Sequence, residues 1–298
     1  TDFVIGSTDE STAAYLADLL TRCTFPPAGT SVCCAVSGGA DSSALAVLAV
    51  AAGCRVELVH VDHGLRPGSD SEFEVVAALA ARLGVSARSV TVAVDPGPNL
   101  EERAREARFA ALPSDALTGH TADDQAETVV VNLLRGSGLD GLAGMRPARH
   151  PILGLRRADT RDLCDRLGLR PVHDASNDDL SHLRNLVRHR LLPELDHAAR
   201  RDLVPVLARQ AELLRDEADL LDELAAAIDP TDARALAAAP RPLARRAVRR
   251  WLAAHLGGRP PDAAAVARVL AVAAGEVRAC EVSGGHRVER HHQQLRFH

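Results

Sequence analysis

The 298-residue chain has no lysine. All 35 of its basic side chains are arginine, set against 40 aspartates and glutamates, for a formal charge of -5. That balance argues against indiscriminate binding to nucleic acid, though a local basic face is compatible with it. Arginine grips phosphate through paired hydrogen bonds and stacks on bases. A GC-rich genome would supply the same bias, so composition alone assigns no partner. Aromatic residues make up only 2% of the chain, so the core must be built from Ala, Val and Leu; a hydrophobic content of 46% is ample for it. No apolar run is long enough to span a membrane, and no basic start with a long apolar centre marks a leader. The six cysteines include no C-x-x-C pair, so zinc and dithiol spacings are missing. A cytoplasmic, thiol-reduced protein is expected. The length suggests two domains.

What is present centres on Ser37-Gly38-Gly39-Ala40-Asp41-Ser42-Ser43. The stretch follows the apolar run Val32–Val36 and precedes the helix-forming run Ala44–Val50. It reads as strand, glycine turn and helix N-terminus. Backbone N–H groups and the helix dipole both face an anion held in such a turn. Gly38 and Gly39 permit positive φ and close approach to a phosphate, while Ser37, Ser42 and Ser43 add hydroxyl donors. No lysine follows the glycines, so this is not the G-x-x-x-x-G-K-[ST] loop. A serine-capped turn without a ligand would use the same residues.

Along the chain, residues 1–10 read as a tail and 11–25 as a short amphipathic helix ending before Pro26-Pro27. Residues 55–63 alternate and form a second strand, 71–83 a helix, and 86–94 a third strand. Strands alternating with helices imply a parallel sheet covered on both faces, with ligands at the carboxyl ends of its strands. Asn99 and Glu102 form a capping box, and the helix they open places Arg105 and Arg108 on one face. Residues 115–120 read as a short strand ending at His120, and Thr121 caps a helix reaching about Arg135. Asp123, Asp124 and Glu127 suit the first turns of that helix. They would equally serve proton transfer, or hold a metal on polyphosphate. Arginines cluster at 146–157, 184–190 and 241–250. A long helix over 201–227 marks a change of composition, and a small hairpin is expected at the end.

Taken together these segments resemble one family. The glycine loop matches S-G-G-x-D-S, the pyrophosphate loop of the ATP pyrophosphatases. His60-Val61-Asp62-His63-Gly64-Leu65-Arg66, Glu102 to Phe109, Gly119 to Thr128 with Arg135-Gly136-Ser137-Gly138, Gly141 to Met145, and Asp174 to Asn177 with Arg184-Asn185 are similar, in order, to the motifs of tRNA(Ile)-lysidine synthase. The family usually has two histidines after the glycine, whereas here the second is Thr121. Phe109 stands where tyrosine is common. The chain looks too short for the second C-terminal domain of longer members.

The resemblance implies an α/β fold, a doubly wound parallel sheet of the adenine-nucleotide-hydrolase type, with a second, smaller and mainly helical domain. It implies a catalytic domain over 1–200 and a tRNA-binding domain over 201–298. ATP would adenylate the C2 oxygen of the wobble cytidine in the CAU-anticodon isoleucine tRNA, and the amine of free L-lysine would then expel AMP. The implied roles follow. Ser37, Gly38, Gly39, Ala40, Asp41 and Ser42 hold the β- and γ-phosphates, with Asp41 on Mg2+. His60 and Val61 flank the adenosine. Arg108 stabilises charge near the α-phosphate. His120 and Asp124 lie beside the cytidine and handle the lysine ammonium, with Glu127 as their structural partner. The arginine groups contact the tRNA backbone. A homodimer is compatible with all of this, and no membrane is involved. Three other readings share the loop: a base-thiolating tRNA enzyme, which usually needs paired cysteines; a carboxylate-amidating synthetase, which needs an ammonia source; and a tRNA- or nucleotide-binding protein without catalysis.

Overall fold

The computed structural model describes residues 9–62, 69–92, 103, 107, 110–172 and 179–298, without the side chains of 69–72. Residues 1–8 of the tail expected over 1–10, the loop after Asp62, the Asn99/Glu102 capping box, Arg105, Arg108, Phe109 and Asp174–Asn177 lie outside the described residues. The chain divides into two compact units, Thr1–Ala211 and Glu212–His298.

In the first unit, α1 (Glu10–Thr21) is started by Asp9, whose carboxylate accepts the Thr12 N–H. Strand β1 (Ser31–Ala35) leads to α2 (Ala40–Ala51), β2 (Arg55–Asp62), α3 (Ser69–Leu83), β3 (Ser86–Thr91) and the two-residue β4 (Leu117–Thr118). The strands lie in the order β3-β2-β1-β4, and every pairing is parallel. Both faces of the sheet are covered. Cys34, Val56 and Leu58 join the core under α1 and α2, whereas Cys33, Val59 and Val61 face a second cluster with Leu112 and Ala116. Adjacent strand residues point to opposite faces, so the neighbours Cys33 and Cys34 part company. The near-continuous burial of α2 from Ser42 to Ala49 follows from its small side chains, which let it sit close on the sheet.

Beyond β4 come α4 (Ala122–Leu134), the single turn α5 (Leu139–Leu142) and α6 (Arg157–Arg166). Next are α7 (Leu183–Leu186), a π turn over Val187–Leu191, and α8 (Leu192–Ala199). The basic helix expected at 184–190 is therefore interrupted by a wide turn. The long helix α9 (Val204–Ala226) contains the division between the units. Composition changes where this helix starts, whereas packing changes within it, so the two criteria mark different points.

The second unit holds α10 (Ala233–Ala238), α11 (Arg241–His255), α12 (Ala263–Ala274) and the antiparallel sheet β5-β6-β7 (Ala279–Val282, His286–His291, Gln294–Phe297). Asp232 and Asp262 cap α10 and α12. Ala244, Ala247, Val248 and Leu252 on α11 pack with Val266, Val269 and Val272 on α12 and with Val282, Val288 and Leu295 of the sheet. The expected hairpin has a third strand. Residues 279–282 carry too short an alternation to announce themselves and gain their structure by pairing with β6.

Candidate active site

The chain builds β1, β2 and β3 to one side of the sheet and then returns to add β4 on the other side of β1. The connections after β1 and β4 therefore diverge, leaving a crevice at the carboxyl ends of these two strands, where open parallel sheets bind ligands. The glycine loop leaves β1 and His120 leaves β4 at this place.

The loop is held by its own polar groups. Gly38 has φ +84, a conformation that disfavours side chains. Its carbonyl accepts the Val172 N–H at 2.9 Å. The Ser42 hydroxyl donates to the Gly39 carbonyl at 3.0 Å and accepts the Ser37 N–H at 3.2 Å. Gly39 is the N-cap of α2, so the first-turn N–H groups of that helix face the loop. Gly119 closes the other wall. A β-carbon there would lie 2.7 Å from the Asp41 carbonyl oxygen and 2.9 Å from the Ser42 Cα. Only glycine lets the end of β4 rest against the first turn of α2, and this contact brings His120 to the loop. The strand expected over 115–120 is only Leu117–Thr118, and it stops where its partner β1 ends at Ala35.

Asp41 lies on that first turn. Its Oδ1 accepts a very short hydrogen bond from the Thr160 hydroxyl of α6, and its Oδ2 is 3.7 Å from Arg157 Nε. Burial pushes its carboxyl above the ordinary value; the charge of Asp124 adds to this, against Thr160, Arg157 and Arg161. A divalent cation would favour the ionised form, and a single carboxylate shared with phosphate oxygens suits Mg2+.

Beside the loop, α4 presents three acids that are already engaged. Asp123 accepts Arg156 Nε at 3.0 Å and the Arg157 N–H at 2.8 Å. Asp124 closes the capping box, with its Oδ2 accepting both the N–H and the hydroxyl of Thr121 at 2.9 Å. Its Oδ1 takes Arg157 at 3.0 Å and Arg184 at 3.1 Å. Glu127, 1% exposed, is gripped by Arg157, Arg184 and Arg188 at 2.7–3.0 Å. Burial pushes the Asp124 carboxyl up, but the charges of Arg157, Arg184 and His120 outweigh it and hold it well below the carboxylate range. Asp124 is therefore held as a negative charge among these partners. The arginines at 156, 157, 184 and 188, expected from the sequence on tRNA phosphates, are bonded here to carboxylates; carboxylates that leave water must be paired, and these guanidinium groups pair them.

Comparison with known proteins agrees with this geometry. A family model described as a PP-loop domain matches residues 11–195, and the TilS substrate binding domain matches 232–296. The tRNA(Ile)-lysidine synthase of Nocardia farcinica is 46% identical over 245 residues, covering 76% of this chain and 77% of that protein. The chain belongs to the tRNA(Ile)-lysidine synthase family. The lysidine synthase of Rhodococcus erythropolis is 42% identical over 235 residues, covering 73% and 72% of the two chains. Among solved structures, the U34-tRNA thiolase NcsA of Methanococcus maripaludis superposes with a TM-score of 0.56 at 17% identity, covering 68% of this chain and 80% of that one. That likeness is one of fold alone.

In this lysidine synthase fold the residues singled out in the sequence are only partly gathered. Ser37 to Ser42, His120 and Asp124 meet at the crevice. Arg108 lies outside the described residues. His60 and Val61 lie near the end of β2, which closes at Asp62; His60 is 2% exposed, with Nδ1 3.0 Å from the Val36 carbonyl and Nε2 lacking a partner among the described residues. Arg157 and Thr160, which contact Asp41, were not singled out as site residues in the sequence. Thr160 is 119 positions from its partner Asp41, and no local spacing signals such a pairing. Arg157 was visible only as one member of an arginine cluster.

Proposed function

We propose that the chain ligates free L-lysine to C2 of the wobble cytidine of the CAU-anticodon isoleucine tRNA, using ATP and forming lysidine, AMP and pyrophosphate. The observation that carries this is the meeting, at one switch point, of the glycine loop before α2 with His120 just after β4 and Asp124 on α4, in a chain of the lysidine synthase family. A carbonyl oxygen is a poor leaving group. Transfer of AMP to the C2 oxygen makes it a good one, and the loop's N–H groups and serines would hold the departing pyrophosphate. Asp41 would hold Mg2+, which neutralises charge on the polyphosphate when bound. Arg108 would face the α-phosphate. His120 would take the proton released as the lysine amine attacks, and the fixed charge of Asp124 would favour the resulting imidazolium. His60 and Val61 would form the wall beside the adenosine.

The thiolating alternative is disfavoured by the thiols themselves. Burial pushes Cys33 up to about 11 and Cys23 and Cys164 up to about 12, far from the range of a nucleophilic thiolate at neutral pH. The decisive experiment supplies labelled lysine and total bacterial tRNA, with and without ATP, with ornithine and arginine as competitors. ATP-dependent label confined to the CAU-anticodon isoleucine tRNA is expected. Pyrophosphate release without lysine label would keep the adenylating loop and overturn the choice of nucleophile. Asp41→Asn should stop pyrophosphate release while leaving tRNA affinity nearly unchanged.

A further inference from the structure

Aromatic side chains are scarce in this chain, with one tryptophan, one tyrosine and five phenylalanines, yet the second unit gathers several rings in one place. Trp251 and His255 lie one turn apart on α11, His286 opens β6 and Phe297 closes β7. Phe297 is the centre of the group. The rings of His255 and His286 lie 4.6 and 4.8 Å from it, tilted by 37° and 34°, and the Trp251 ring meets it edge to face at 6.1 Å. Trp251 also meets His255 at 5.4 Å. Val288 pairs with Phe297 across the ladder, and His286, two residues before Val288, shares its face of the sheet. Carbonyl oxygens, which can only accept, hold both histidine rings: that of Trp251 takes His255 Nδ1 at 2.8 Å, and that of His298 takes His286 Nδ1 at 3.2 Å.

The rings are not needed to seal the core. Val248, Leu252, Val288 and Leu295 already close it, and Trp251 and Phe297 pack on its rim. Trp251, His286 and Phe297 stay half-buried and His255 is exposed, so aromatic surface is left facing water. Charge indicates what would cover it. Residues 232–296, which match the TilS substrate binding domain, carry 12 arginines against five acids, a formal +7. The rest of the chain carries 23 arginines against 35 acids, a formal -12. The exposed Arg287 and Arg296 adjoin His286 and Phe297 in the chain. A basic surface with open rings suits single-stranded nucleic acid, because every unpaired base offers a π-face, whereas a duplex keeps its bases stacked and offers mainly phosphates. We propose that Trp251, His255, His286 and Phe297 form a stacking surface for unpaired bases of the tRNA. The inference rests on the tRNA-modifying reading given above and names the part of the RNA that this unit takes, an unpaired segment rather than a helical stem.

Trp251 is the only tryptophan of the chain, so the intrinsic fluorescence of the full-length protein reports on this surface directly. Titration with a short single-stranded RNA should quench it, and an RNA duplex of equal length at the same concentration should leave it nearly unchanged. His255→Leu should weaken single-strand binding about 5-fold or more, the worth of one base–aromatic stack, while His255→Phe, which keeps a ring, should stay within about twofold of wild type. Neither variant loses an arginine, so the slope of log K against log salt should match wild type in both. His255 is exposed, so both variants should fold, and the pair His286→Leu and His286→Phe repeats the comparison from β6. No binding of the single strand, binding without a change in Trp251 emission, equal quenching by the duplex, wild-type affinity in His255→Leu, or a Phe variant as weak as the Leu variant would each overturn the inference. The assay contains neither ATP nor lysine, so absence of lysine transfer in the wild-type chain would overturn the ligation reading while the fluorescence result still reports on the surface.

Discussion

Asp124 illustrates how one side chain can have several claims on it. Its two oxygens close the cap of α4 and receive two guanidinium groups, and His120 helps keep it ionised. A folded-state pKa below that of the unfolded chain contributes stability fully present above the unfolded value and lost as pH falls below it. Asp124→Asn should therefore destabilise the first unit at pH 7 by about 3 kcal/mol, the scale of a broken buried ion pair. The gap between wild type and variant should narrow by about 1.4 kcal/mol for each pH unit below about 4. Urea unfolding at stepped pH values measures this, and a gap that stays constant down to pH 3 would mean the ion pairs hold little of the native stability. The sequence showed that these acids suit a helix start. It did not show that arginines 33 and 60 positions away would claim them, because an ion pair made by folding leaves no local pattern.

Among the elements, β4 and α2 depend on each other through one missing side chain. Placing Ala at 119 would drive a methyl group into the backbone of Asp41 and Ser42, and neither can move without opening the first turn of α2. Gly119→Ala should cost about 1–3 kcal/mol of stability through overpacking. It should lower the rate of pyrophosphate release by more than it lowers tRNA affinity, because the turn that shifts is the one proposed to hold the phosphates. Equal loss of both would assign Gly119 to general folding. The strand–turn–helix unit around Gly38 and the alternation of β2 were legible in the sequence because their patterns are local: an apolar run, paired glycines, a small-residue helix. The truncation of β4 was not, since it follows from where its partner β1 ends. Nor was the third strand of the C-terminal sheet, whose four residues take their order from β6.

For the molecule as a whole, a net charge of -5 means that a polyanion is repelled at long range and must be held by local faces. With Arg156, Arg157, Arg184 and Arg188 turned onto carboxylates, we propose that part of that task falls to the region matching the TilS substrate binding domain. There α11 carries Arg241, Arg245 and Arg249 at four-residue intervals, which lines them up on one exposed face. Arg246 breaks the series. Its side chain is 11% exposed and bonds Asp222 at 2.6 Å, so it braces the unit from within. The five arginines of 241–250 looked equivalent in sequence; only burial separates them. If the exposed stripe faces tRNA phosphates, Arg245→Ala with Arg249→Ala should weaken tRNA binding and reduce the slope of log K against log salt by about 2, roughly one released counterion for each lost contact. Arg246→Ala should lower the melting temperature of the second unit and leave that slope unchanged in protein that remains folded. A slope unmoved by the double substitution would place the phosphate contacts elsewhere and leave α11 as a solvated helix face.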